Sequence, residues 1–160
     1  MITFSGEAIS KLDRGRCFMP ASFRKEFPET DVVRLKIRAE KDEYLEIFDE
    51  SDWKKRIDDY EQFLNSRPFL KFREMMLVKF TKEVESIEMI KHDDNAVNIG
   101  RILIPKKMLD AVGIKNEVLF IGTRGRIMLW NKEKYESYIQ KMEEEMEAYE
   151  QSCIEKYSKE

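Results

Sequence analysis

Cysteine is scarce in this chain of 160 residues: Cys17 and Cys153 are its only two. They stand far apart, in stretches that read as strand and helix, without the close spacing a zinc site needs. Two such thiols fit a reducing cytoplasm better than a disulfide scaffold. Histidine is scarcer still, with His92 alone. The acids beside it in "HDD" (92–94) suggest a metal ligand or a general base, but further ligands and any nucleophile pattern are missing. Enzyme chemistry is therefore not expected. No apolar run nears the roughly 18 residues of a membrane span. The opening "MITFSGEAIS" shows no basic stretch leading into an apolar one, so no secretory signal is expected. Nothing marks large-scale disorder, because aromatics and methionines are spread along the whole length.

Positive charge is also short, with a net of −3, until it is divided along the chain. Residues 133–160 hold nine acids against four bases, which leaves the remainder at +2. The acidity belongs to the C-terminal stretch, and the body is mildly basic. Local clustering decides whether phosphates are attracted.

What is present is a repeat. "LDRGRCFMPASFR" (12–24) and "VNIGRILIPKKML" (97–109) share one arrangement at an offset of 85 positions. Leu12 falls against Val97, Asp13 against Asn98, Gly15 against Gly100, Arg16 against Arg101 and Pro20 against Pro105. Phe23 meets Met108 and Phe27 meets Val112. Further on, "YLEIFDESDW" (44–53) resembles "RIMLWNKEKY" (126–135), with Asp49 and Asn131 placed as helix N-caps. Each unit reads as strand, tight Gly-Arg turn, strand, proline, short helix, β-hairpin and closing helix. In "GTRGR" (122–126) the glycines make a hairpin turn, and the spacing fits no nucleotide-binding motif.

Between the units, 50–64 and about 67–83 read as two helices, with Ser66 as a cap and Pro68 in the first turn. Phe69, Phe72, Met76 and Phe80 share one helical face, which reads as core packing. Tyr135, Ile139, Met142, Met146, Tyr149 and Cys153 recur at alternating spacings of four and three, a heptad seam with glutamates opposite. That stripe packs either on its own body or on a neighbouring subunit.

A unit of about 45 residues with four short strands cannot bury enough apolar area alone. Two units must share a core, which implies a pseudo-twofold body with both Gly-Arg turns on one surface. Backbone geometry explains the glycines, and Asp13 and Asn98 can bond the turn's own backbone. Neither argument requires an arginine. Around the first turn Lys11, Arg14, Arg16 and Arg24 cluster with Asp13 as the only acid, a patch suited to phosphates or a guanine edge. The second turn has Arg101, Lys106 and Lys107, with Ile99 where Arg14 stands. Cys17, beside Arg16, is a candidate for a lowered thiol pKa, but as a strand residue it is expected to be buried.

Three stretches, "FSGEAISKLDRGRCFMPASFRKEF", "GRILIPKKMLDAVGIKNEVLFIG" and "IMLWNKEKYESY", resemble the MraZ family of bacterial transcriptional regulators over nearly the whole chain. The resemblance implies an α+β fold of two tandem AbrB-like swapped-hairpin units, with connecting and C-terminal helices. The expected divisions are 1–54, connecting helices 55–84, second unit 85–131, and an acidic amphipathic helix 132–160. It also implies sequence-specific binding of short promoter repeats by a ring-like oligomer. The family motif D-x-x-G-R points to Arg16 and Arg101 as leading DNA contacts, with Arg14 as the basic residue before the glycine. Lys11 and Arg24 join them from the local patch, and Asp13, Gly15, Asn98 and Gly100 shape the turns. Here the acid or amide stands two residues before the glycine instead of three, so each turn is expected to be one residue shorter. The implied partners are double-stranded DNA and more than one further copy of the chain, with no cofactor, metal or membrane, in the cytoplasm at the nucleoid. The competing expectation is an oligomeric scaffold of the same fold without DNA affinity, motivated by the acidic tail and the altered second turn.

Overall fold

The computed structural model describes residues 5–158; residues 1–4 and 159–160, the outer ends of the expected first unit and C-terminal helix, lie outside the described residues. The fold is α+β. The first half runs β1 (Ser5–Lys11), β2 (Arg16–Phe18), α1 (Ala21–Arg24), β3 (Val32–Glu40), β4 (Tyr44–Asp49) and α2 (Glu50–Leu64). A 3-10 stretch (Arg67–Phe72) and α3 (Arg73–Lys82) connect the halves. The second half repeats the order with β5 (Glu85–Ile90), β6 (Arg101–Leu103), α4 (Lys106–Val112), β7 (Glu117–Thr123), β8 (Arg126–Trp130) and α5 (Lys132–Ser158).

The halves interleave. Six strands form one antiparallel sheet in the order β1-β7-β8-β4-β3-β5. Each outer strand therefore pairs with the other half's hairpin: β1 lies on β7, and β5 lies on β3. At the centre β4 pairs with β8, with Glu46 opposite Met128. Those two residues are counterparts in the hairpin repeat, so the local twofold runs through their pair. β2 and β6 form a separate two-stranded ribbon in which Cys17 lies opposite Ile102, again counterparts. Neither half can close its core without strands from the other, which is why the short units must occur together.

Alternation along the strands divides the sheet into two faces. The inner face carries Leu35, Ile37, Leu45, Ile47, Val118, Phe120, Ile127 and Leu129, packed with Cys17, Ile102, Phe23 and Met108 in one cluster. On the outer face Leu119, Ile121 and Trp130 meet Tyr135 at the base of α5. Asp49 and Asn131 both cap as expected, accepting from Asp52 N (2.7 Å) and Lys134 N (3.0 Å).

Several local expectations are corrected. Ser66 does not cap the following turn; its hydroxyl donates back to Phe63 O (2.9 Å). The helix expected over 67–83 is 3-10 up to Phe72, and no residue of α3 is buried. Its body contact runs instead through Phe80, which stacks on Trp53 and Tyr60 at centroid distances of 5.5 and 4.2 Å. Only one glycine of "GTRGR" turns the hairpin: Arg124 and Gly125 hold positive φ, while Gly122 is a strand residue opposite Gly6. Leu12 and Val97 are not equivalent, since Leu12 packs on the core and Val97 is 68% exposed. Four residues (12–15) join β1 to β2, but ten (91–100) join β5 to β6.

Burial explains the first cysteine. Cys17 is fully enclosed, and desolvation pushes its thiol up to about 12. In a Cys153→Ser background the native protein should show no rapid reaction with Ellman's reagent at pH 8, and one thiol per chain after denaturation. A fast native thiol would place Cys17 at the surface.

Candidate nucleic-acid interface

The two Gly-Arg turns are built differently, for a side-chain reason. In the first, Asp13 and Arg16 exchange both main-chain hydrogen bonds (2.9 Å each), with Arg14 at φ 53° and Gly15 at φ 82°. Two positive φ values make this a type I′ hairpin turn. In the second, Ile99 holds φ −66° and ψ 126°, followed by Gly100 at φ 88°. That is the type II shape, which needs positive φ only at the glycine. A β-branched isoleucine is excluded from the left-handed region that Arg14 occupies. Asp13 contributes through its main chain; among the described residues its carboxylate makes no hydrogen bond to the turn. Asn98 accepts from Arg101 Nη1 (3.4 Å) and donates to Asp93 (2.7 Å).

Space also requires the first glycine, while at the second a Cβ would have to push the end of the Arg24 side chain aside. A Cβ on Gly15 would lie 2.8 Å from Ile104 O, and one on Gly100 would lie 2.5 Å from the Arg24 side chain. These close approaches let the ribbon extend symmetrically, with Ile104 N donating to Gly15 O (2.8 Å) and Met19 N donating to Gly100 O (2.7 Å).

Register decides where the arginines point. Arg16 lies opposite Leu103, and Phe18 lies opposite Arg101. Directly opposed residues and alternate residues share a face, so Arg16, Phe18, Arg101 and Leu103 all project from the side facing away from Cys17 and Ile102. Phe18 and Leu103 are about half exposed. Beside Arg101 runs a groove of about 850 Å³ that also includes Arg34 and Lys36, together with Glu50 and with Glu88, which lies opposite Arg34 in register. Lys36 spends one bond on Ser86 Oγ (2.7 Å).

The remaining candidates separate. Arg14 sits at the tip of the first turn, exposed beside Arg16. Lys11 ends β1, opposite Glu117 in register, on the sheet edge instead of the ribbon. Arg24 is half-buried; it lies over Gly100 and donates to Ile99 O (2.7 Å), which fastens the second turn to α1. His92, the sole histidine, bonds Glu29 (2.6 Å), and Asp31 O accepts from the main-chain N–H groups of Lys91 and His92 (2.8 and 3.1 Å). With the buried Lys91 donating to Arg24 O, these contacts clamp the longer second loop onto the first half.

Sequence reasoning had no signal for Arg34 and Lys36, because they belong to a strand far from either turn and reach Arg101 only through the β3–β5 pairing.

This arrangement sits within a protein whose relatives are known. The family described as "MraZ protein, putative antitoxin-like" matches residues 91–156. The Transcriptional regulator MraZ of Bacteroides fragilis is 35% identical over 138 residues, covering 85% of this chain and 82% of the relative. The chain belongs to the MraZ family. The Transcriptional regulator MraZ of Bacteroides thetaiotaomicron is 32% identical over 146 residues, covering 90% of this chain and 88% of its own. That of Phocaeicola vulgatus is 34% identical over 137 residues, with 81% and 80% covered. In MraZ terms the matched segment begins in the loop before β6 and takes in Gly100, Arg101 and most of α5. Among the described residues no helix is long and apolar enough to cross a membrane.

Proposed function

We propose that this chain is a sequence-specific DNA-binding transcriptional regulator, with the β2/β6 ribbon as its reading head. One observation carries the proposal: Arg16 and Arg101 share the exposed face of a ribbon whose other face is welded into the core. A two-stranded ribbon fits the major groove, and arginine pairs in bidentate fashion with the guanine edge. The flanking Arg14 reaches phosphate, which sets register without carrying sequence. Residues 1–54 and 85–131 act as two units that each contribute one strand and one turn.

Charge placement supports the same reading. The acidic α5 is anchored on the outer face of the sheet, and the ribbon covers the inner face. The α5 glutamates are thereby kept from the arginine surface, where Arg34, Lys36 and Arg101 outnumber Glu50 and Glu88, and a chain of net −3 presents a mildly basic side to DNA. Further copies in a ring-like oligomer present the ribbon to repeated short sites at the promoter, in the cytoplasm at the nucleoid.

Fluorescence anisotropy against DNA from upstream of its own gene and against a scrambled duplex, across a salt series, tests this. The native DNA should bind more tightly at every salt, with affinity falling as salt rises. Equal affinity for the two duplexes throughout would replace the proposal with a scaffold role.

A further inference from the structure

Among the described residues, two amphipathic surfaces lack a cover within the subunit. The first is α5. Its base is pinned where Tyr135 meets Trp130 at 5.3 Å, and beyond Met142 its apolar stripe is open, with Met146 61% and Tyr149 72% exposed. At 1.5 Å per residue, the stretch after Met142 reaches roughly 25 Å past its anchor. The heptad positions flanking the stripe carry Glu143, Glu145 and Glu150.

The second surface is the 67–82 segment. Leu70, Phe72, Met75 and Val78 are each more than half exposed. Lys71, Lys79 and Lys82 border them. Arg73 is taken up by Glu61 and Glu74, whereas among the described residues Arg67, Lys71, Lys79 and Lys82 form no ion pair, and Lys71 lies over the Phe72 ring.

Charge selects the pairing. Two α5 stripes packed together would set acidic flanks against acidic flanks, and two α3 faces would set lysines against lysines; like charges at such positions oppose association. An α5 stripe on an α3 face joins apolar to apolar and glutamate to lysine. Resting on the oligomer proposed above, we propose that Met142, Met146, Tyr149 and Cys153 of one copy lie on the Phe72, Met75 and Val78 face of the next. The two patches are different surfaces of one chain, so the contact is head-to-tail. It leaves one patch of each kind open at every step until a ring closes.

Light scattering on the full chain tests this with Met146→Asp and Met75→Asp, both at exposed positions. Each variant alone should fall to the 19.2 kDa subunit mass. An equimolar mixture should form a species of twice that mass, because the intact α5 of one variant meets the intact α3 of the other. A variant that keeps the wild-type mass, or a mixture that stays monomeric, overturns the pairing while leaving the oligomer standing. A monomeric wild type at micromolar concentration overturns both.

Discussion

Arg16→Ala should abolish discrimination between promoter and scrambled DNA while leaving the subunit folded. Arg16 projects from the ribbon into solvent, and among the described residues its side chain makes no hydrogen bond or ion pair. Nothing in the fold depends on its guanidinium, so thermal unfolding should match wild type. A bidentate arginine–guanine contact supplies roughly 1–3 kcal/mol of base discrimination, and repetition of the contact in an oligomer multiplies the loss. Arg101→Ala should cost less. That side chain is half-buried, already held by Asn98 at 3.4 Å, and its type II turn presents Ile99 where the first turn presents Arg14. Anisotropy with both variants separates the roles. A phosphate-only contact would weaken all sequences alike and lower the salt slope by about one. If Arg16→Ala binds both duplexes as wild type does, the ribbon arginine is not the reader.

The symmetry behind this prediction could be read from sequence because Gly-Arg and proline positions repeat at a fixed offset. Cys17 and Ile102 then turn out to face each other across the twofold. The caps were legible for the same reason: Asp49 and Asn131 each precede a helix and act through local bonds. Features set by distant chain were not. The face through Phe69, Phe72, Met76 and Phe80 has the right period for a core, but periodicity does not say what stands opposite. In the subunit Phe80 stacks on Trp53 and Tyr60 and Phe69 meets Phe63 at 4.7 Å, while Phe72 stays more than half exposed. Sequence proximity groups Arg24 with the basic patch, but the approach of Gly100 from 76 residues away ties its side chain to the second turn. The Leu12–Val97 alignment failed where the second loop is longer, because Gly-Arg spacing fixes the turn and not the strand before it.

Glu46 shows the same limit on the outer face. Alternation in "YLEIFD" points it away from the inner core, and it is fully buried on the outer face. Arg56 from α2 donates to one carboxylate oxygen (2.6 Å), and Arg126 from β8 donates Nε–H to the other (3.0 Å). Its position on the twofold explains why the repeat is broken here. The counterpart facing it is Met128, whereas a symmetric glutamate would oppose one buried carboxylate to another. Glu46 thus ties the two hairpins and α2 together through charge-assisted bonds. Removing one member of a fully buried pair costs about 3–5 kcal/mol. Here the arginine side chains are 33% and 40% exposed and can turn to water, so Glu46→Ala should lose about 2 kcal/mol on the same reasoning. Glu46→Met should lose less, because it restores volume against Met128 and Phe48 without leaving a cavity. Urea unfolding at fixed protein concentration reads both, since assembly would otherwise shift the midpoint. A Glu46→Ala midpoint equal to wild type would mean that the two arginines contribute nothing to joining the halves.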